Sequence, residues 1–260
     1  MNLHVWWDRP ADGPWNMAAD ELLAAESTVR DACCVRVYGW RGTSVSLGGF
    51  QSVAAARAER SIAGVPLVRR PSGGGAIVHG SDLTYAAAVP KSHPWGGSPR
   101  LLYDALHGAM RLALADHGVV AALWTPDVAG AAARHDDPFF CFDRRSSGDL
   151  VLPADADHGG DAKIMGSAQR RLAAAVMQHG SLLLERNRGV PGEASHPGLR
   201  ELTRNRLSPA DARPLAERWL RVVADSLAMK LVAEEGPFAP EALVRERARR
   251  FADCRWTGRR

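Results

Sequence analysis

Ser72-Gly73-Gly74-Gly75 is the tightest constraint in the sequence. It follows Leu67-Val68-Arg69, which reads as a strand, so three consecutive glycines stand at a strand end. Such a backbone takes positive φ freely and lets a neighbour or ligand come close. Two structures satisfy the pattern: a tight β-turn, or a concave site of backbone N–H groups for an anion or carbonyl, with Arg70 supplying charge. No Gly-Lys-Ser/Thr follows, which excludes a Walker A loop, and the spacing is not the GxGxxG of a dinucleotide fold.

The segments around this turn predict a mixed architecture. Residues 14–23 form a helix with Pro14 near its start and the acids Asp20 and Glu21 in its first turns. Residues 33–40 alternate around Val35 and Val37 as a strand does, and residues 45–47 and 83–89 predict two more. Residues 53–62 are a short alanine-rich helix. Apolar positions at Leu102, Ala105, Leu106, Ala109 and Leu112 predict a helix over 99–117, closed by Gly118. Residues 126–138 predict a mobile loop, and 150–184 predict strands around a polar loop at 153–161. Ser208-Pro209 opens a helix expected to reach residue 231, and an arginine-rich helix covers 241–251. No repeat or linker divides the chain, so one domain over 1–260 is expected. The irregular alternation favours α+β over a doubly wound parallel sheet.

Composition narrows the function classes. With 46% apolar residues the chain buries a sizeable core. No apolar stretch approaches the roughly 20 residues that cross a bilayer, and the N-terminus lacks the pattern of a signal peptide. A cytoplasmic protein with no membrane partner is the expectation. A net charge of +4, with scattered basic residues, argues against nucleic acid and suits acidic protein partners. Cys33, Cys34, Cys141 and Cys254 contain no CxxC pair, so neither a zinc site nor a disulfide framework is expected. Three of the 33 Lys and Arg residues are lysine (Lys91, Lys163 and Lys230), which draws notice to the one inside a dense motif.

That lysine lies in Asp161-Ala162-Lys163-Ile164-Met165-Gly166-Ser167-Ala168-Gln169-Arg170-Arg171. Its small and apolar followers suit either a pocket ammonium that holds an acyl carbonyl or phosphate, or a snorkelling strand-edge lysine. Gln178-His179-Gly180-Ser181 offers a base or a structural imidazole. Cys141 stands among Phe139, Phe140 and Phe142, with Arg144 and Arg145 close behind, and reads as a packed thiol or an activated one. His79 or His179 would complete a Cys/His pair if the fold brought them together.

Taken together, these segments resemble the biotin/lipoate protein ligase and octanoyltransferase family. The likeness rests on Arg69-Arg70-Pro71-Ser72-Gly73-Gly74-Gly75-Ala76-Ile77-Val78-His79, on Lys163-Ile164-Met165-Gly166-Ser167-Ala168-Gln169, and on Gln178-His179-Gly180-Ser181-Leu182-Leu183-Leu184. Asn16-Met17-Ala18-Ala19-Asp20-Glu21 and Ser44-Val45-Ser46-Leu47-Gly48-Gly49 fit as well. The resemblance implies a mixed β-sheet flanked by helices, like the catalytic domain of biotin ligases and class II synthetases. It implies an acyl tunnel bordered by the glycine segment and Lys163. Arg70, Ser72, Gly73, Gly74, Gly75, Ala76, His79, Gly166, Ser167, Ala168, His179 and Gly180 would bind substrate there.

Family members attach lipoyl or octanoyl groups to one lysine of a lipoyl domain or a glycine cleavage H-type protein. In the cysteine-dependent octanoyltransferases a Cys-Phe segment ahead of the lysine motif takes octanoate from acyl carrier protein, and Cys141-Phe142 matches it. Cys141 and Lys163 are then the catalytic pair, and no cofactor is needed. The ATP-dependent ligases show Gly-Arg-Asn-Asp ahead of the lysine, and would use ATP and Mg. Here the corresponding stretch is Ser147-Gly148-Asp149, and an end near residue 260 leaves no room for the ligases' extra C-terminal lobe, so the transferase is expected. The Pro-Ser and aromatic usual after the Cys-Phe pair are replaced by Arg144-Arg145-Ser146-Ser147-Gly148. An acyl-carrier-binding protein without turnover is the remaining alternative on this scaffold.

Overall fold

The computed structural model describes residues 1–126, 138–154, 160–192 and 194–259. Its elements run β1 (Asn2–Trp7), α1 (Gly13–Arg30), β2 (Cys33–Tyr38), β3 (Ser44–Leu47), α2 (Val53–Ala58), β4 (Leu67–Arg69), β5 (Ile77–His79) and β6 (Asp82–Pro90). There follow α3 (Pro94–Gly97), α4 (Pro99–Asp116), β7 (Ala122–Leu123), β8 (Leu150–Leu152), β9 (Ala162–Arg171) and β10 (Ala175–Leu183). The last are α5 (Leu199–Leu202), α6 (Ala212–Ser226), β11 (Lys230–Ala233), α7 (Glu241–Ala252) and α8 (Cys254–Thr257).

Eight strands make one sheet in the order β11-β1-β2-β6-β10-β9-β8-β7, and β4-β3-β5 make a smaller one. In the large sheet β1 pairs parallel with β2 and β11, and the other pairings are antiparallel. The architecture is the expected α+β mixed sheet flanked by helices.

Side chains alternate across a strand, so one sequence serves both faces. Cys33, Val35 and Val37 pack with Leu102, Leu106 and Met110 of α4 and Leu215, Trp219 and Val223 of α6. Their neighbours Cys34 and Tyr38 turn to the opposite face, where Met17, Leu22 and Leu23 of α1 and Phe251 of α7 cover them. Burial pushes the thiols of Cys33 and Cys34 up to about 12, which keeps them protonated.

Some sequence expectations need correction. The helix predicted over 14–23 runs longer, from Gly13 to Arg30, and Asp12 caps it by accepting from the Trp15 N–H at 2.9 Å. Ser208 and Pro209 do start a helical turn, but α6 stops at Ser226 rather than reaching residue 231. Ala228 turns left-handed at φ 50°, and Lys230–Ala233 becomes a strand beside β1. The predicted strand over 33–40 ends at Tyr38, and β1 and β5 join as strands the sequence pattern does not announce. Most of the predicted loop at 126–138, residues 127–137, lies outside the described residues, as do 155–159 of the loop at 153–161. Among the described residues no helix is long and apolar enough to cross a membrane.

Candidate active site

The site lies on the α1 face of the large sheet, where the small sheet meets it. The glycine run connects β4 to β5 and is fixed from within by Arg70. This buried guanidinium donates to Gly73 O at 3.0 Å, Gly75 O at 2.8 Å, and Ser46 O and Oγ at 2.7 Å each. Burial lowers its pKa to about 10, still well above neutral, so it remains a cation among loop carbonyls. Gly49 N–H adds a bond to Ser72 O at 2.6 Å. The glycine run is therefore more than a turn: its carbonyls are tied inward and its conformation is set.

The Cys141 segment is stitched to this run. Ala76 N–H donates to Phe139 O at 2.9 Å, and Cys141 N–H donates to Ala76 O at 2.8 Å. The approach leaves no room for a side chain at Gly75, where a β-carbon would stand 2.8 Å from Cys141 N. Phe142 anchors the turn by packing with Ile77 and Leu183. Cys141 itself is partly exposed.

Lys163 reaches the same point from β9. A register shift between β8 and β9 puts Leu150 opposite Met165 and Val151 opposite Lys163, so Ile164 is an extra residue. The bulge breaks alternation and sets Lys163 beside Gly166, whose missing side chain makes space for the ammonium: a β-carbon there would lie 2.8 Å from Nζ. Nζ sits 2.8 Å from Asp149 Oδ2, 3.2 Å from the carbonyls of Cys141 and Arg144, and 3.6 Å from Cys141 Sγ. Lys163 is buried and ion-paired, not snorkelling.

Two histidines wall the cavity that opens beside Cys141, and neither has a nitrogen to spare. His79 bonds Ser46 Oγ at 2.7 Å through Nε2 and Asp82 Oδ2 at 2.8 Å through Nδ1, with its ring stacked on Trp40 at 3.8 Å. Burial lowers its pKa against the pull of Asp82. His179 bonds Asp20 Oδ2 at 3.0 Å through Nδ1 and Ser72 Oγ through Nε2. Asp20 is held in turn by Arg36 at 2.7 Å and Tyr38 at 3.1 Å. Met17, Tyr38, Trp40 and Ile77 give the cavity its apolar lining, and Gly74, Ala168 and Gly180 its small ones.

The fold thus brings together Cys141, Lys163, Arg70, the glycine run, Ala168, His79, His179 and Gly180. Ser167 is an exception: its hydroxyl bonds Tyr85 at 2.8 Å and His107 at 2.7 Å, residues of the α4 side, and only the residue's edge borders the cavity. Sequence reasoning assigns no role to Asp149, Tyr103 or Trp40, which reach the site through long-range contacts, nor to Asp82, which meets His79 three positions away. Asp20 carries the Asn-Met-Ala-Ala-Asp likeness, but its partner His179 is 159 positions away.

A mixed sheet carries a glycine-built loop, a thiol 3.6 Å from a buried ammonium, and an apolar cavity beside them, which is the arrangement of a catalytic domain. Residues 12–196 match the lipoyl protein ligase A/B catalytic domain, and the chain belongs to that family. It is 35% identical over 184 residues to a protein named octanoyltransferase LipM of Symbiobacterium thermophilum, covering 66% of this chain and 62% of the relative. The LipM of Bacillus subtilis is 30% identical over 184 residues, covering 67% of this chain and 63% of its own. The chain therefore spans less than two thirds of the length of these relatives. Among solved structures, a lipoate-protein ligase A bound with ATP superposes with a TM-score of 0.71 at 17% identity, over 99% of both chains. A bi-partite lipoate protein ligase of Thermoplasma acidophilum gives 0.65 at 18%, over 99% of this chain and 96% of its own. These two likenesses establish the fold.

Proposed function

We propose that this chain transfers an octanoyl or lipoyl-type group from acyl carrier protein to the acceptor lysine of a lipoyl domain or H-type protein, through a thioester on Cys141. One observation carries this reading. Lys163 Nζ stands 3.6 Å from Cys141 Sγ at the mouth of an apolar cavity, where an ammonium stabilises both a thiolate and a developing oxyanion. The relatives named octanoyltransferase LipM support it.

Sγ attacks the carrier thioester, forming the new S–C bond as the carrier sulfur leaves and takes the thiol proton. The two thioesters are nearly isoenergetic, so the step needs positioning and no nucleotide. The acceptor amine, once deprotonated, then attacks the Cys141 thioester; the amide C–N bond forms, the C–S bond breaks, and the departing Cys141 sulfur takes the second amine proton to restore the thiol. Arg70, Ser72, Gly73, Gly74, Gly75, Ala76, His79, Gly166, Ser167, Ala168, His179 and Gly180 shape the acyl site, through side chain or backbone.

The test is incubation with octanoyl-acyl carrier protein and no ATP, followed by intact-mass and peptide analysis. The expected result is one octanoyl adduct on Cys141, lost in Cys141→Ser and discharged by lipoyl domain. Full transfer by Cys141→Ser with a requirement for ATP would instead establish a ligase that works through an acyl-adenylate. Tight carrier binding without an adduct or turnover would leave a binding protein.

A further inference from the structure

Tyr103, from the second turn of α4, donates its hydroxyl to Asp149 Oδ1 at 2.6 Å. The other oxygen of Asp149 accepts from Ser146 N–H at 2.6 Å and from Lys163 Nζ at 2.8 Å. Asp149 is 1% exposed, so three protein donors share a carboxylate that water does not reach. Lys163 in turn has three N–H bonds and four acceptors around it: Asp149 Oδ2, the carbonyls of Cys141 and Arg144, and Cys141 Sγ. The strength of the Asp149 attraction therefore decides how much of the ammonium is left for sulfur.

We propose that Tyr103 is a positioning residue that acts through Asp149 to leave the Lys163 ammonium aimed at Cys141, an inference that rests on Cys141 being the acyl-carrying thiol. A phenol hydrogen-bonded to a carboxylate spreads its charge and weakens its hold on the competing cation. Burial, and then Asp149 itself, push the Tyr103 pKa far above the ordinary range, so the hydroxyl remains a donor at every working pH. The ring cannot swing away, because it stacks on the buried His107 at 4.1 Å. Among the described residues, the charged groups near the thiol are Lys163 from β9, Arg70 from behind the glycine run and Arg144 from the turn that carries Cys141. Of these, Lys163 shares Asp149 with Tyr103.

The experiment is the pH profile of Cys141 alkylation by iodoacetamide, read by peptide mass, in the wild type, Tyr103→Phe, Lys163→Ala and the double variant, alongside transfer kinetics. Tyr103→Phe keeps the ring and its stacking, so thermal unfolding checks that the fold is retained. Its profile is expected to move to higher pH, with alkylation near pH 7 and kcat both falling about fivefold and KM unchanged, the worth of about one ordinary hydrogen bond passed on through Asp149. In the Lys163→Ala background the same change should have no further effect. An unmoved profile in Tyr103→Phe, or an equal shift with and without Lys163, overturns the proposal. If the wild type forms no Cys141 adduct and Tyr103→Phe still moves the profile through Lys163, the positioning stands and the transferase reading falls.

Discussion

Gly75 and Cys141 occupy one volume: a β-carbon on Gly75 would stand 2.8 Å from Cys141 N and 3.0 Å from Cys141 Cα. The neighbour is backbone on both counts, held by the Cys141 N–Ala76 O bond at 2.8 Å. It cannot give way without moving the sulfur.

On the proposed mechanism, Gly75→Ala is therefore expected to slow formation of the Cys141 acyl adduct at least about tenfold, because the thiol would leave the position from which it attacks. Stability should fall by about 1–3 kcal/mol, the usual cost of overpacking. Adduct rate by mass spectrometry and urea unfolding measure the two effects. An unchanged adduct rate would contradict the geometry described above.

Gly166→Ala should behave differently. The added β-carbon would meet Lys163 Cε at 2.6 Å and Nζ at 2.8 Å, the far end of a flexible side chain. Lys163 can yield only by loosening its buried pair with Asp149, so stability should fall by about 3 kcal/mol while transfer, on the proposed mechanism, slows at least about tenfold. Transfer by Gly166→Ala at the wild-type rate would show that Gly166 does not place the ammonium.

Acid sensitivity should follow His107. This ring is fully buried, bonds Ser167 Oγ at 2.7 Å, and has its pKa lowered by burial from 6.5 to about 4. The unfolded chain takes up the proton first, so stability falls as pH drops below 6.5 and the loss levels off near 4. The loss from this group is on the order of 3 kcal/mol. His79, also lowered by burial, adds to the slope. Denaturant midpoints between neutral and acidic pH should show a shallower decline in His107→Gln than in the wild type; parallel curves would refute the assignment.

Much of the fold was legible because period and caps carry it. The α4 stripe from Leu102 to Ala109, the alternation around Val35 and Val37, and the Ser208-Pro209 start all appear where expected. The error at residues 227–231 has a local cause. Ala228 adopts φ 50° without being glycine, so nothing in the sequence marks the stop, and Leu227 and Leu231 continue the helical spacing into what is a strand. At the site, Cys141, Lys163 and the glycine run were visible as local motifs. Asp149 was not, because its meaning depends on Tyr103, 46 positions away, and on a bulge that turns Lys163 toward it. By residue type His179 offered a base or a structural imidazole, and His79 or His179 a partner for Cys141; the buried partners on both nitrogens of each ring favour the structural role.

The thiol and the ammonium belong to different sheets. Cys141 is tied to Ala76, the residue that leads into β5 of the small sheet, whereas Lys163 extends from β9 of the large one. The Sγ–Nζ distance is therefore a gauge of how the two sheets seat against each other. Slippage along that seam detunes the pair even when no residue of the pair has changed. On the proposed mechanism, sequence drift at the seam, far from both Sγ and Nζ, would act as a trim on reactivity, and an inactive relative with both Cys and Lys intact is best inspected there.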